Sequence, residues 1–233
     1  MKINDIQTSR RTVLLTGVGV TTATLLPAAP AQAASVYRRG SRGSAVASLQ
    51  RSLSQRGYWC GRADGIFGHL TQQAVWALQK RHGLTRDAIF GRNTRAALAH
   101  DSTISPAGGS GYRMEVHLSK QLVLEVRRGR THRIFNTSTG NGEPYEYYGR
   151  TYNANTYKGS FRVHRTHGSG WQSGYLGNLY RPSYFDSGRA LHGSYSIPPY
   201  PASHGCCRLS TAAADLLWSA GRMDRGDRVL VVQ

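Results

Sequence analysis

The sequence predicts a multidomain chain, a small all-α module of three helices followed by a mainly-β domain. Three observations predict it. Residues 36–100 contain an internal repeat with an offset of 23 residues, set among apolar positions at helical spacing. From Tyr112 onward the apolar period switches to two. Between the two regions, residues 101–111 are rich in Ser, Gly and Pro, which reads as a short flexible linker.

Residues 1–33 read as an export signal and stand apart from the fold. Ser9-Arg10-Arg11-Thr12 precedes a modestly apolar run over 13–26, and Ala31-Gln32-Ala33 forms a small-residue cleavage site. The paired arginines resemble a twin-arginine signal, with a general secretory signal as the alternative. The run is too short and too rich in Gly and Thr for a membrane span of about 20 residues. The protein is therefore expected outside the cytoplasm and at most peripheral to a membrane.

In the first module, Val46, Leu49 and Leu53 share one helical face, with Ser44 as the expected cap. Asp64-Gly65-Ile66-Phe67-Gly68-His69-Leu70-Thr71 then aligns with Asp87-Ala88-Ile89-Phe90-Gly91-Arg92-Asn93-Thr94. Each copy reads as an Asp/Gly turn, an Ile-Phe anchor and a Thr placed to cap the next helix. Tyr58, Trp59 and Trp76 are either sugar-stacking aromatics or core. His69, His82 and His100 lack metal-ligand spacing and read as surface histidines.

The second domain, 112–233, opens with a hairpin. Met114, Val116 and Leu118 alternate, Ser119-Lys120 turns, and Leu122, Leu124 and Val126 alternate. Further strands are expected over 131–137, 159–163 and 229–232, and a helix over 212–218 capped by Ser210. Some 120 residues suffice for an independent core.

Thirty Lys+Arg against 12 Asp+Glu give a net charge of +18, which suits polyanionic partners. No arginine block or aromatic-interleaved stripe supports nucleic acid as that partner. Three cysteines leave an odd thiol in an exported chain. Cys60 and Cys207 read as small buried residues, and all three thiols are expected to be free.

The chemistry concentrates in Ser203-His204-Gly205-Cys206-Cys207-Arg208, with His192-Gly193 just upstream. A thiol with a pKa near ~8.5 needs a neighbour to generate the thiolate, and a histidine brought alongside supplies it. Gly205 permits a tight turn that aims peptide N–H groups at an oxyanion. Arg208 offers a fork-shaped charge for a carboxylate. His164 and His167 form a His-x-x-His without a supporting Glu, so no metal and no cofactor is expected. Trp171, Tyr180, Tyr184 and Phe185 are material for a lid or substrate wall, or for core.

His-Gly followed by Ser-His-Gly-Cys-x-Arg resembles the signature of the L,D-transpeptidases, cysteine enzymes that cross-link bacterial peptidoglycan. Ser138-Thr139-Gly140, Gly159-x-Phe161, Tyr184-Phe185 and Gly226-Asp227-x-Val229 extend the resemblance along the domain in the expected order. Two positions depart from the family pattern: Thr156-Tyr157 stands where Thr-Pro is common, and Cys207 where an aliphatic residue is usual. The repeat region, with Leu49-Gln50, Gly57-Tyr58 and Leu78-Gln79, resembles the helical peptidoglycan-binding domain.

The resemblance implies Cys206 as nucleophile and His192 as general base. It places Ser203, His204 and Gly205 in the oxyanion loop, and Arg208, Gly193 and Tyr184 at the substrate. It implies an extracellular, cell wall-associated enzyme, expected as a monomer, with peptidoglycan stems and glycan as its partner. L,D-carboxypeptidase activity and a non-catalytic wall-binding protein are the alternatives.

Overall fold

The computed structural model describes residues 35–233, so the expected export signal lies outside the described residues. Among these residues no helix is long and apolar enough to cross a membrane.

The first module is three helices: α1 (Ser44–Gln55), α2 (His69–Arg81) and α3 (Arg92–Ala99). The expected caps are corrected. Gly43, Gly68 and Gly91 occupy the cap positions without side-chain caps, and Ser44, Thr71 and Thr94 lie inside the helices. Buried Thr71 and Thr94 serve the repeat in another way. The Gln50 Nε2 shares its two hydrogens among Asp64 Oδ1, Ile66 O and Thr71 Oγ1, at 2.8, 3.0 and 2.9 Å, while its Oε1 accepts from the Gly65 amide. Gln79 repeats this with Asp87, Ile89, Thr94 and the Ala88 amide. A buried glutamine that spends all its hydrogen bonds on the following loop is what the doubled motif encodes.

The β domain holds β1 (Arg113–His117), β2 (Leu122–Arg127), β3 (Arg130–Asn136), β4 (Pro144–Tyr147), β5 (Arg150–Asn153) and β6 (Gly159–Arg162). It continues through β7 (Arg165–Thr166), β8 (Trp171–Gln172), β9 (Leu179–Asp186), β10 (Arg189–Ser194) and β11 (Cys207–Ser210) to α4 (Thr211–Ser219) and β12 (Arg228–Val232). One sheet runs β3-β2-β1-β12-β6 and a second β11-β10-β9-β7, with β8 also on β9; β4 and β5 form a separate hairpin. Ser210 caps α4 by accepting from the Ala213 amide.

The first sheet is covered on both faces. Met114, Val116, Val123, Phe135, Val229 and Val231 join a core with Leu191, Cys207 and Leu209 of the second sheet. Leu122, Leu124, Val126 and Ile134 join the core of the helical module instead. At the sheet edge, Ile134 donates to Gly57 O and accepts from the Trp59 amide. Tyr58 is fully buried, which removes it from the sugar-stacking candidates, while half-buried Trp59 packs on Phe135.

The flexible linker is likewise corrected. Asp101 and Ile104 are buried, and Thr131 Oγ1 donates to Ile104 O. The Ala107 and Gly108 amides donate to the Glu115 carboxylate, which also meets Arg113 and His117. Burial alone would raise the pKa of Glu115, but these donors outweigh it and bring it down to about 2. His82, expected at the surface, binds Asp101 Oδ1 at 2.7 Å.

Candidate active site

Parallel pairing of β10 with β11 sets His192 beside Arg208 and Leu191 beside Cys207. Alternation then sends Leu191, Cys207 and Leu209 into the core and turns His192, Cys206 and Arg208 to a cavity of about 610 Å³. Ser203, His204, Tyr184 and Arg189 share its wall, and Tyr145, Tyr147, Tyr152 and Tyr175 close it from the side of the β4–β5 hairpin. The His204 ring meets Tyr145 edge-on at 4.8 Å.

His192 is buried, and its Nδ1 lies 2.8 Å from Gly193 O. A carbonyl can only accept, so Nδ1 carries the hydrogen and Nε2 is left as the basic nitrogen. Burial pushes the His192 pKa down to about 4; the Gly193 carbonyl opposes this and Arg208 adds to it. The Cys206 Sγ accepts from the Ala190 amide at 3.4 Å. Burial pushes the Cys206 thiol up, against the pull of the Ala190 amide, Arg208 and Arg189. Both directions favour the uncharged forms at neutral pH, a thiol and an imidazole lining one cavity.

The turn before Cys206 is clamped from within. Ser203 Oγ accepts from the Gly205 amide at 3.0 Å and donates to Cys206 O at 2.6 Å. Gly205 has φ +125°, and a Cβ there would sit 2.8 Å from Asn155 O. Gly140 is equally constrained, since its Cβ would fall 2.0 Å from Ala154 O. Thr156 Oγ1 accepts from the Gly140 amide and donates to Gly205 O, so the threonine of the departing Thr156-Tyr157 pair still anchors the loop. Half-exposed Tyr157 lies under the Arg189 guanidinium, 4.2 Å from carbon to ring centre.

Two expected roles change. The Gly205 amide is already taken, so it is not free for an oxyanion; among the described residues no hydrogen bond takes up the Cys206 amide. Gly193 does not line the cavity: a Cβ there would meet Tyr180 and the Thr211 backbone at 2.9 and 3.0 Å, so it serves close packing, and its carbonyl orients the His192 ring. Tyr184 does line the cavity, with its hydroxyl donating to Gln172 Oε1. Among the described residues the Arg208 guanidinium has no hydrogen-bond or ion-pair partner, while its backbone is held by Ser138 O and Thr137 Oγ1. All three cysteines are free.

Arg189 is the site residue that the motifs missed. Its Nε donates to Asn155 O at 2.6 Å, its Nη1 pairs with Asp186 at 3.2 Å, and it lines the cavity beside Cys206. A lone arginine after a Ser-Gly turn carries no sequence signature. Only the strand pairing of β9 with β10 brings it to the thiol.

A cysteine immediately before β11 and a tautomer-locked histidine on the neighbouring β10, walled by an arginine and aromatics, have the chemistry that thiol-dependent acyl transfer requires. The sequence profile of the L,D-transpeptidase catalytic domain matches residues 111–231, and that of a peptidoglycan-binding domain matches 42–98. The chain belongs to the L,D-transpeptidase family. It is 47% identical to an L,D-transpeptidase of Xylanimonas cellulosilytica whose crystal structure superposes with a TM-score of 0.81, covering 89% of this chain and all of that one.

Shorter matches are to two further enzymes. A spore cortex-lytic enzyme of Bacillus cereus is 33% identical over 86 residues, 33% of this chain and 33% of that protein. The N-acetylmuramoyl-L-alanine amidase CwlL of Bacillus licheniformis is 41% identical over 66 residues, 28% of this chain and 18% of that one. The chain thus spans a third or less of the curated relatives it matches.

Proposed function

We propose that this protein is a cysteine L,D-transpeptidase that joins peptidoglycan stems outside the cytoplasmic membrane after export by the 1–33 signal. The observation that carries this reading is the His192–Gly193 O bond, which leaves Nε2 basic in the cavity that holds Cys206. The Cys206 thiol gives its proton to His192 Nε2 as sulfur attacks the carbonyl between the third residue and the terminal D-Ala of a tetrapeptide stem. The oxyanion draws on the Cys206 amide, and Arg208 receives a stem carboxylate.

Collapse breaks the C–N bond. The imidazolium returns its proton to the departing D-Ala amine, leaving a thioester on Cys206. The side-chain amine of a second stem's diamino acid then attacks, gives up a proton to His192 and forms the new amide. The C–S bond breaks and the thiol is restored.

Intact-product mass spectrometry of residues 34–233 with a disaccharide tetrapeptide tests this reading. Cysteine-dependent dimers lacking one D-Ala are expected, and none from Cys206→Ala. Tripeptide alone would replace the reading with carboxypeptidase activity, and no product at all with wall binding.

A further inference from the structure

The segment 195–206, between β10 and β11, carries the nucleophile and contains neither helix nor strand. Pro198, Pro199 and Pro201 deprive it of amide donors, so it cannot hold itself through a ladder of its own. Its carbonyls are held from outside. Ile197 O accepts from Asn136 Nδ2 at 3.2 Å and from Gln73 Nε2 at 3.5 Å; Pro199 O accepts from Arg86 at 2.9 Å; Tyr200 O accepts from Ser138 Oγ at 2.7 Å. Gln73 sits on α2 and Arg86 just beyond its end, both in the helical module.

A third attachment runs beneath the loop. Lys80, near the end of α2, is 2% exposed. Its Nζ donates to Thr137 O at 2.8 Å and to Gln121 O at 3.0 Å, both in the β domain. Thr137 Oγ1 reaches Arg208 O at 2.8 Å. The Gln121 side chain grips Thr139 through its amide and hydroxyl, and Thr139 O accepts from the Ala202 and Ser203 amides at 3.0 Å each. Lys80, Gln121, Thr137, Thr139, Asn136 and Gln73 are all buried, so this seam belongs to the folded state.

We propose that the helical module is a positioning part of the catalytic site: Lys80, Gln73 and Arg86 together fix the 197–208 segment, and with it the Cys206 thiol. This goes beyond carrying the enzyme to its polymer, and it rests on the proposed cysteine chemistry only for the substrate half of its test. A displacement of about 1 Å at a reacting atom costs up to about a hundredfold in rate, so loosening an anchor should act on turnover before affinity.

The test uses the full chain with Lys80→Met, with Arg86→Ala, and with Gln73→Ala, each compared with wild type well below its melting temperature. Two quantities are read: the pH dependence of Cys206 alkylation by iodoacetamide, and kcat and KM on a disaccharide tetrapeptide. The expected result is a displaced alkylation midpoint and a kcat lowered about ten- to hundredfold, with KM changed less than about threefold. Arg86→Lys should restore most of the loss.

Folded variants that keep the wild-type alkylation profile and kcat would overturn the inference, whatever their melting temperatures. Should Lys80→Met fail to fold, the Arg86→Ala and Gln73→Ala double variant carries the same test from outside the buried amine. A displaced alkylation midpoint with no turnover even in wild type would uphold the positioning role and sink the proposed function instead.

Discussion

Two kinds of loop are closed by buried polar side chains in this molecule, and they differ in what they leave unspent. In the helical module, Gln50 and Gln79 meet an Asp, an Ile carbonyl, a Thr hydroxyl and a backbone amide apiece. The loop around Cys206 is held as firmly, by Ser203, Thr156 and Thr139. Yet among the described residues it leaves the Cys206 amide, the His192 Nε2 and the Arg208 guanidinium without hydrogen-bond partners. Unpaired polar groups in a folded protein are costly, and here they collect where a substrate would supply the partners.

The sharpest way to break that comparison is at the thiol. Cys206→Ala should abolish turnover, and His192→Gln should lower kcat by about 10²–10⁴-fold, with melting temperatures near wild type in both. Retained turnover in either, followed by product mass spectrometry, would show that these groups are structural after all. Gln50→Ala should do the reverse. Stranding the Gly65 amide and taking the Gln50 donor from the Thr71 oxygen should cost about 2–4 kcal/mol in urea unfolding, with activity per folded molecule unchanged.

Arg208→Lys should leave stability alone and raise KM by about tenfold, because an ammonium cannot engage a carboxylate through two parallel bonds. An unchanged KM would release Arg208 from substrate binding.

A further expectation concerns pH. Burial, with a further contribution from Arg86, pushes the Lys80 amine down to about 6. In the unfolded chain the same amine stays protonated to near ~10.4. Between these values the unfolded state binds the extra proton, so stability rises with pH, by at most about 1.4 kcal/mol per unit from this group. Below about pH 6 its contribution is flat. Lys80→Met should flatten the profile between pH 6 and 9 in urea titrations, and an unaltered slope would mean that Lys80 is charged in the fold.

Both architectures and the active-site cluster were legible because their signals are local. Met114 to Val126 alternates, Ser210 precedes an apolar helix, and Ser203 to Arg208 is contiguous. The carbonyl that orients His192 follows from Gly193, which has no side chain to do it. The illegible parts depend on distant partners. Nothing between 101 and 111 announces that Glu115 will capture its amides, and neither Lys80 nor Arg189 sits in a pattern. Thr71 and Thr94 look like caps, because the glutamines that claim them lie 21 and 15 residues away. The β4–β5 hairpin, Tyr-rich and largely exposed, has no buried face to impose a readable period.

The seam between helices and sheet also decides how the protein can be divided. Leu122, Leu124, Val126 and Ile134 share their core with the helical module and Ile104, and among the described residues the outer edge of β3 bonds through Ile134 to Gly57 and Trp59. Excision of residues 36–100 would bare an oily sheet face and a strand with open hydrogen-bonding groups at one stroke, the two conditions that invite chain-to-chain association. Residues 112–233 alone are therefore expected to self-associate in light scattering, and the catalytic half is not a portable part.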